Sequence, residues 1–221
     1  MTCVVRVENL CKSFPEGDTQ RLVLDNISFE IHTGECVALV GPSGSGKTTL
    51  LNLLSGLILP DSGSVLFYID REAVRVETQS SKMRTRMRRA HISTIYQFFN
   101  LIPTLTVEEN VLLPLELNGL LEHRAAALEP LHALHLSDRL AAFPEVLSGG
   151  EQQRIAVVRA LAHRPKLVLA DEPTGNLDAD NAAQVVDLLW ERVASAEASL
   201  VVATHNLNIA EKADKVISLV P

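Results

Sequence analysis

Gly41, Pro42, Ser43, Gly44, Ser45, Gly46, Lys47 and Thr48 follow one another in the pattern G-x-x-x-x-G-K-[ST], which is a phosphate-binding loop. Its glycines let backbone N–H groups turn inward around phosphate oxygens, where bulkier residues would obstruct them. Residues 37–40, Val-Ala-Leu-Val, read as a buried strand before the loop, and residues 49–54 as a helix behind it. The N-terminus of such a helix adds roughly half a positive charge. Lys47 is placed to reach the outer phosphates and Thr48 to offer its hydroxyl to Mg²⁺. A glycine-rich turn ahead of a buried helix is the plainer reading, but both flanks match what the motif needs. The expected ligand is a nucleotide triphosphate.

Three further groups stand where apolar strands run out: Gln97, the pair Asp171 and Glu172, and His205. Ligands of open parallel sheets bind beyond the carboxyl ends of the strands. Singly each residue is ordinary; together with the loop they describe one phosphate-handling site. Asp171, ending the apolar run 167–170, is placed to hold Mg²⁺ through its water. Glu172 can accept a proton from an attacking water or orient it. Leu147, Ser148, Gly149, Gly150 and Glu151 form a second glycine loop that opens a helix, and so a second anion site. One triphosphate does not easily reach both loops in a compact monomer. A two-fold dimer brings each phosphate-binding loop to the partner subunit's Ser148 loop.

Strands and helices must position these groups. Residues 3–7 read as a first strand and residues 22–24 and 27–31 as a second extended segment. Pro15, Gly17 and Asp18 mark residues 12–20 as a loop. Residues 35–40 feed the phosphate-binding loop, and residues 65–69 follow a turn at 60–63. Without helical crossovers, these early strands are expected to be antiparallel. Residues 92–96 read as a short strand. Thr106 and Glu109 fit a capping box that opens a helix through Pro114 to Asn118 and Gly119. A second helix covers about residues 123–136, with His132 and His135 on one face; no third metal ligand is evident near them. Ile155, Val158 and Leu161 keep helical spacing after the Ser148 loop. Residues 166–170 read as a central strand, 180–196 as an amphipathic helix, and 200–203 and 216–220 as the last strands. Strands alternating with helices predict a parallel sheet with helices on both faces.

The 221 residues are 47% apolar, enough for one compact domain, and the formal net charge is -7. That charge argues against nucleic-acid binding, and the basic run at Lys82, Arg84, Arg86, Arg88 and Arg89 reads as a solvated helix face. Cys3, Cys11 and Cys36 are scattered, as suits reduced thiols in a cytosolic protein. Residues 1–6 lack the basic start and apolar core of a signal peptide. No apolar run approaches the ~20 residues of a membrane span.

In the order of these motifs the chain resembles an ATP-binding cassette (ABC) ATPase subunit over nearly its whole length. The family's order is met by the P-loop at 41–48, the Q-loop at Gln97, the signature at 147–151, and Asp171 with Glu172. The D-loop at 175–178 and the switch histidine His205 follow. The resemblance implies an α/β fold: a P-loop NTPase core, an N-terminal antiparallel β subdomain and an inserted α-helical subdomain. It implies ATP sandwiched between two subunits and hydrolysed in line by water with Mg²⁺. Phe14 falls where the family places an aromatic, usually Tyr, that stacks on adenine. Thr49 and Asp178 join the nucleotide-binding set. Gln97 would join Thr48 and Asp171 at the Mg²⁺ and sense the membrane partner. Lys47, Gln97, Glu172 and His205 are the catalytic set, with His205 on the γ-phosphate. Ser148, Gly149 and Gly150 complete the site in trans.

Residues 96–103, 105–111 and 171–178 resemble the lipoprotein-release and macrolide-export class, and the cell-division ABC ATPase shares them. The expectation is a single ABC ATPase domain, with a core at 1–96 and 161–221 and a helical signature subdomain at 97–160. Many members continue past the last strand; the stop at Pro221 is read as leaving no regulatory C-terminal domain. The function expected is an ATP-hydrolysing homodimer on the cytoplasmic face of the inner membrane. It would drive an integral membrane permease, contacted near residues 97–101 through Phe98, Phe99 and Leu101, for export or lipoprotein release. The alternative is an ATPase regulator of an envelope or cell-division complex that transmits force without moving a substrate. Repair and translation ABC proteins are disfavoured by the single cassette and the lack of heptads.

Overall fold

The computed structural model describes residues 2–70, 72–195 and 198–219. Met1, Arg71, Ala196, Glu197, Val220 and Pro221 lie outside the described residues. With them go the ends of the helix expected to reach Ala196 and of the strand expected to reach Val220. The chain divides into two compact units, residues 1–88 with 199–221, and residues 89–198.

The first unit opens with β1 (Cys3–Glu16) and β2 (Thr19–His32). β3 (Cys36–Val40) and α1 (Lys47–Leu54) follow, then β4 (Ser62–Ile69), β5 (Glu72–Arg75) and α2 (Ser81–His91). β2, β1, β4 and β5 form an antiparallel sheet in that order. Val5 and Val7 alternate onto one buried face, as a pleated strand requires. An irregularity between Val7 and Leu10, with Asn9 at φ 49°, resets the alternation so that Leu10 is buried as well.

Residues 12–20, expected as a loop, are instead the far end of the β1–β2 hairpin, paired from Lys12 with Leu24 to Glu16 with Thr19. Only Gly17 and Asp18 turn, and Gly17 has the positive φ, 61°, that a tight hairpin needs. Pro15 fits because β4 pairs with β1 only as far as Cys11. Beyond that point β1 is an edge strand, where proline is tolerated. In α2 the basic run divides its work. Arg84 and Arg88 donate to the carbonyl of Gly56 at 3.2 and 2.9 Å, whereas Lys82 and Arg86 are exposed.

The second unit contains β6 (Ile92–Ile95), α3 (Val107–Asn118), α4 (Arg124–Ala133), α5 (Gly149–Leu161), β7 (Leu167–Asp171) and α6 (Ala179–Ser195). β6 and β7 are parallel, and residues 167–170 are completely buried. The α3 capping box forms: Glu109 N donates to Thr106 Oγ1 at 3.3 Å and Thr106 N to Glu109 Oε2 at 2.7 Å. α3 passes through Pro114 and ends on Gly119 at φ 69°. Val107, Val111, Leu115, Leu131, Leu136, Ile155 and Val158 make the core where α3, α4 and α5 meet.

α4 is shorter than the helix expected over 123–136. It stops at Ala133, and His135 adopts φ 56° outside it. His132 and His135 therefore do not share a helical face, and His132 Nδ1 lies 2.7 Å from Ser137 Oγ.

The chain returns to the first unit with β8 (Ser199–Ala203), α7 (Leu207–Glu211) and β9 (Lys215–Ser218). β3 runs parallel to both β8 and β9, so residues 35–40 depart from the antiparallel arrangement expected of the early strands, because their partners come from the C-terminal end of the chain. No helix among the described residues is long and apolar enough to cross a membrane.

Candidate active site

Register places the chemistry. In the first unit Leu39 of β3 pairs with Ala203 of β8. Two residues beyond each partner come Gly41, which starts the P-loop, and His205. Both leave the sheet at the same edge, and Thr204 N donates to Leu39 O at 3.0 Å to hold the strand ends together. The second unit repeats the pattern. Ile95 of β6 pairs with Ala170 of β7, and two residues on come Gln97 and Glu172.

The P-loop is held by what surrounds it. A Cβ on Gly46 (φ 95°) would lie 2.9 Å from Leu24 Cδ2 and from Val23 Cγ1, and one on Gly41 only 2.4 Å from Leu219 O. Side chains at these positions would push the loop off β2 and the C-terminal strand. Lys47 arches back over the loop and donates to Gly41 O at 2.7 Å and Pro42 O at 3.2 Å. Pro42, Ser43, Gly44 and Thr48 are exposed, and Ser45 Oγ is buried with no partner among the described residues. Thr49 is half-buried in the first turn of α1.

Phe14 stands on the hairpin, 38% exposed, with Lys12 Nζ 5.4 Å from its ring centre. Its cross-strand partner is Arg21, whose Nη2 lies 3.5 Å from Gly44 O. The sequence reading did not include Arg21. The only signal for it is its pairing with Phe14, which the expected loop over 12–20 concealed.

The second unit gathers four motifs into one network. Gln97 packs on Gly175, where a Cβ would come 2.9 Å from Gln97 Nε2, and Asn176 Nδ2 donates to Gln97 O at 3.0 Å. The Phe99 ring lies against Gly149, 3.3 Å from where a Cβ would stand. Gln153, buried in α5, donates to Pro173 O at 2.7 Å. A Cβ on Gly150 would collide with Asn181 Oδ1 at 2.4 Å. Asn181 in turn donates through N and Nδ2 to the Asp178 carboxylate at 2.9 and 2.7 Å, which holds that group below its ordinary pKa. Asp171 ends β7 half-buried, and Glu172 follows at φ 46°, a left-handed backbone that side chains rarely adopt and that often marks function.

Ser148 caps α5. Glu151 N donates to Ser148 Oγ at 3.3 Å, and Ser148 Oγ and N donate back to Glu151 Oε2 at 2.7 and 2.8 Å. The bonds from Ser148, with Arg139 nearby, hold the Glu151 carboxyl below its ordinary value of 4.5. Behind the Q-loop, Phe99 (φ 24°) and Asn100 (φ 56°) are kept in left-handed conformations by Arg159, which donates to their carbonyls at 3.3 and 2.8 Å. Arg159 also reaches Asn110 Oδ1 at 3.4 Å. Asn110 is fully buried, accepts from Ile102 N, and donates to the carbonyls of Ile102, Leu105 and Thr106. These residues too escaped the sequence reading, because a helical Asn and Arg carry no motif of their own.

Residues 24–175 match the ABC transporter family. The chain belongs to that family as an ATP-binding subunit with ATPase activity, and its fold is that of the P-loop NTPases. Among particular relatives, it is 50% identical over 218 residues to the uncharacterized ABC transporter ATP-binding proteins MT1014 and Rv0986. These come from Mycobacterium tuberculosis strains CDC 1551 / Oshkosh and ATCC 25618 / H37Rv. The match covers 98% of this chain and 86% of each relative. Two solved structures of the cassette MJ0796 align over 97% of this chain and 94% of theirs. One is a dimeric post-hydrolysis state bound to ADP and Pi (TM-score 0.83, 36% identity). The other is a dimeric bacterial ABC transporter cassette (TM-score 0.84, 38% identity).

Asn110→Ala removes the acceptor of Ile102 N and the shared amide donor of three carbonyls. Ile102 O and Thr106 O keep backbone donors, so Ile102 N and Leu105 O are left unpaired, at about 1–3 kcal/mol each. A loss of about 2–4 kcal/mol in urea unfolding is expected. Glu151 is a depressed carboxylate, so its contribution to stability is complete above pH 4.5 and is lost as pH falls through its folded value. Glu151→Gln should therefore melt below wild type at neutral pH, with the gap closing as the pH falls from 4.5 through the lower folded value.

Proposed function

We propose that the chain acts as a homodimer that hydrolyses ATP between its two copies and drives an integral membrane partner. One observation carries the reading: a single chain holds two helix N-termini suited to phosphate. They are α1 behind Gly46 and α5 behind the Ser148 cap. The dimeric cassettes that it resembles, one with ADP and Pi, support a two-copy arrangement.

In this reading the residues 41–49 and the Lys47 ammonium cradle the phosphates, and Phe14 stacks on adenine with Arg21 beside the loop. The exposed face of the loop at Pro42, Ser43, Gly44 and Thr48, with the Lys47 ammonium arched over it, fits a phosphate chain. Thr48, Gln97 and Asp171 offer only oxygen ligands, which suits Mg²⁺. No cluster of three or more His, Cys, Asp or Glu among the described residues is arranged to hold a metal, so the ion would be bound together with phosphate oxygens. Bound there, Mg²⁺ offsets charge on the phosphoryl group. Glu172 orients the attacking water and takes its proton, and His205 contacts the γ-phosphate. The partner subunit's Ser148, the partner subunit's Gly149 and the partner subunit's Gly150 close on the phosphates, with the partner subunit's Asp178 beside them. The chain would form one ABC domain, a core of 1–96 and 161–221 with 97–160 as the helical signature subdomain.

The membrane partner is proposed to meet the chain at Phe98, which is 74% exposed, with Tyr96 and Ile102 also exposed. Phe99 faces Gly149 instead. The chain then works on the cytoplasmic face of the membrane, in export or lipoprotein release.

Glu172→Gln should slow hydrolysis by about 10²–10⁴ and, with ATP and Mg²⁺, elute from a sizing column as a dimer. A variant that stays monomeric with ATP bound would contradict the reading. Phe98→Ser should leave ATP turnover of the isolated chain unchanged while reducing the fraction recovered with membranes. Unaltered membrane recovery counts against Phe98 as the contact.

A further inference from the structure

Gln153 of α5 is completely buried, and its two amide atoms are treated unequally. Nε2 donates to Pro173 O at 2.7 Å, across from the helix to the turn after β7. Oε1 is buried with no hydrogen-bond partner among the described residues. Buried polar atoms in folded proteins are nearly always paired, so this orphan calls for a cause. Stability does not supply one. An apolar side chain of the same shape would leave Pro173 O unpaired in place of Oε1, one acceptor exchanged for another, and would gain apolar burial. What the amide provides, and an apolar chain would not, is one directed bond to the turn.

That turn carries Glu172, which has φ 46° and stands directly before Pro173. The ring of a proline drives the residue ahead of it toward extended backbone. A left-handed conformation at a residue other than glycine persists only where its surroundings enforce it. Gly175 N donates to Glu172 O at 3.0 Å, but that bond closes the turn on itself and does not place it against the helix. Pro173 is buried, and its ring fixes its own φ. The torsion left to orient its carbonyl is ψ, and the bond from Gln153 sets it. The first carbonyl beyond that of Glu172 is thus held by the helix that begins at the Ser148 loop.

We propose that Gln153 is a positioning residue for Glu172. By pinning Pro173 it keeps the Glu172 carboxylate where an attacking water needs it, and it touches neither water nor nucleotide itself. The inference rests on the role given to Glu172 under the proposed function. Its leverage is geometric, since a displacement of about 1 Å costs about a hundredfold in rate.

The test uses the full chain with ATP and Mg²⁺. Gln153→Met keeps nearly the shape of glutamine and lacks the donor. It should melt close to wild type and lower kcat about 10- to 100-fold. KM for ATP and the affinity for a fluorescent ATP analogue should stay within about twofold. If that variant does not fold, Gln153→Leu carries the same measurements. Combination with Glu172→Gln separates positioning from a general loosening of the core. A residue that acts through the Glu172 carboxylate has little left to do once that group is gone, so adding Gln153→Met to Glu172→Gln should cost less than about twofold more. Unchanged kcat in Gln153→Met overturns the proposal, and so does an equal fold loss in both backgrounds. Wild-type turnover by Glu172→Gln itself would overturn the role of Glu172 and this inference together. Unchanged kcat in Gln153→Met beside a slow Glu172→Gln overturns this inference alone.

Discussion

An acidic chain with a formal charge of -7 has to hold a polyanion. Side-chain charge over the whole molecule opposes that, so attraction must be local. In the proposed site it comes from backbone N–H groups, a helix N-terminus and one ammonium, which act over short range whatever the net charge. The rest of the structure follows from keeping that backbone in shape. Gly46 lies against Val23 and Leu24 of β2, and Gly41 against the carbonyl of Leu219. The antiparallel hairpin and the last strand of the first unit are therefore the mould of the loop as well as parts of a core.

The second unit meets a different demand. Its polar residues must hold Gln97, Ser148, Glu172 and Asp178 in fixed relation, and all four stand outside helices and strands. Loops gain such definition only when their backbone groups are paired. Arg159 and Asn110 supply this by binding carbonyls from Phe99 to Thr106. Gln153, Asn176 and Asn181 link the signature helix, the turn after β7, the Q-loop and the D-loop. These bonds couple the loops to one another, a physical basis for linking nucleotide chemistry to the membrane partner proposed at Phe98.

The architecture was largely legible in the sequence because its signals are local. Apolar runs ended at chemical residues, and the capping box at Thr106 and the glycine loop at Ser148 marked two helix starts that the structure reproduces. Local signals misled where they conflict with pairing, as for the strand at 35–40, which is parallel to β8 and β9. Pro15, Gly17 and Asp18 suggested a loop, but cross-strand pairing carries the hairpin to Glu16. A helical pattern suggested His132 and His135 on one face, but the chain turns left-handed at His135. The Arg159 and Asn110 clamp and the Arg21 contact were illegible for another reason. They join positions far apart in sequence, and no spacing rule encodes such a contact.

In the proposed dimer each ATP is hydrolysed between the P-loop of one copy and the Ser148 loop of the other. Mixing two inactive variants, Lys47→Ala and Ser148→Arg, tests it most directly. In a mixed dimer one site carries both defects and the other carries neither. If sites act independently, about a quarter of wild-type ATPase activity per chain should return on mixing equal amounts, since half the dimers are mixed and each has one sound site. Mixtures as inactive as the separate variants, under conditions where the chains exchange, would contradict the account.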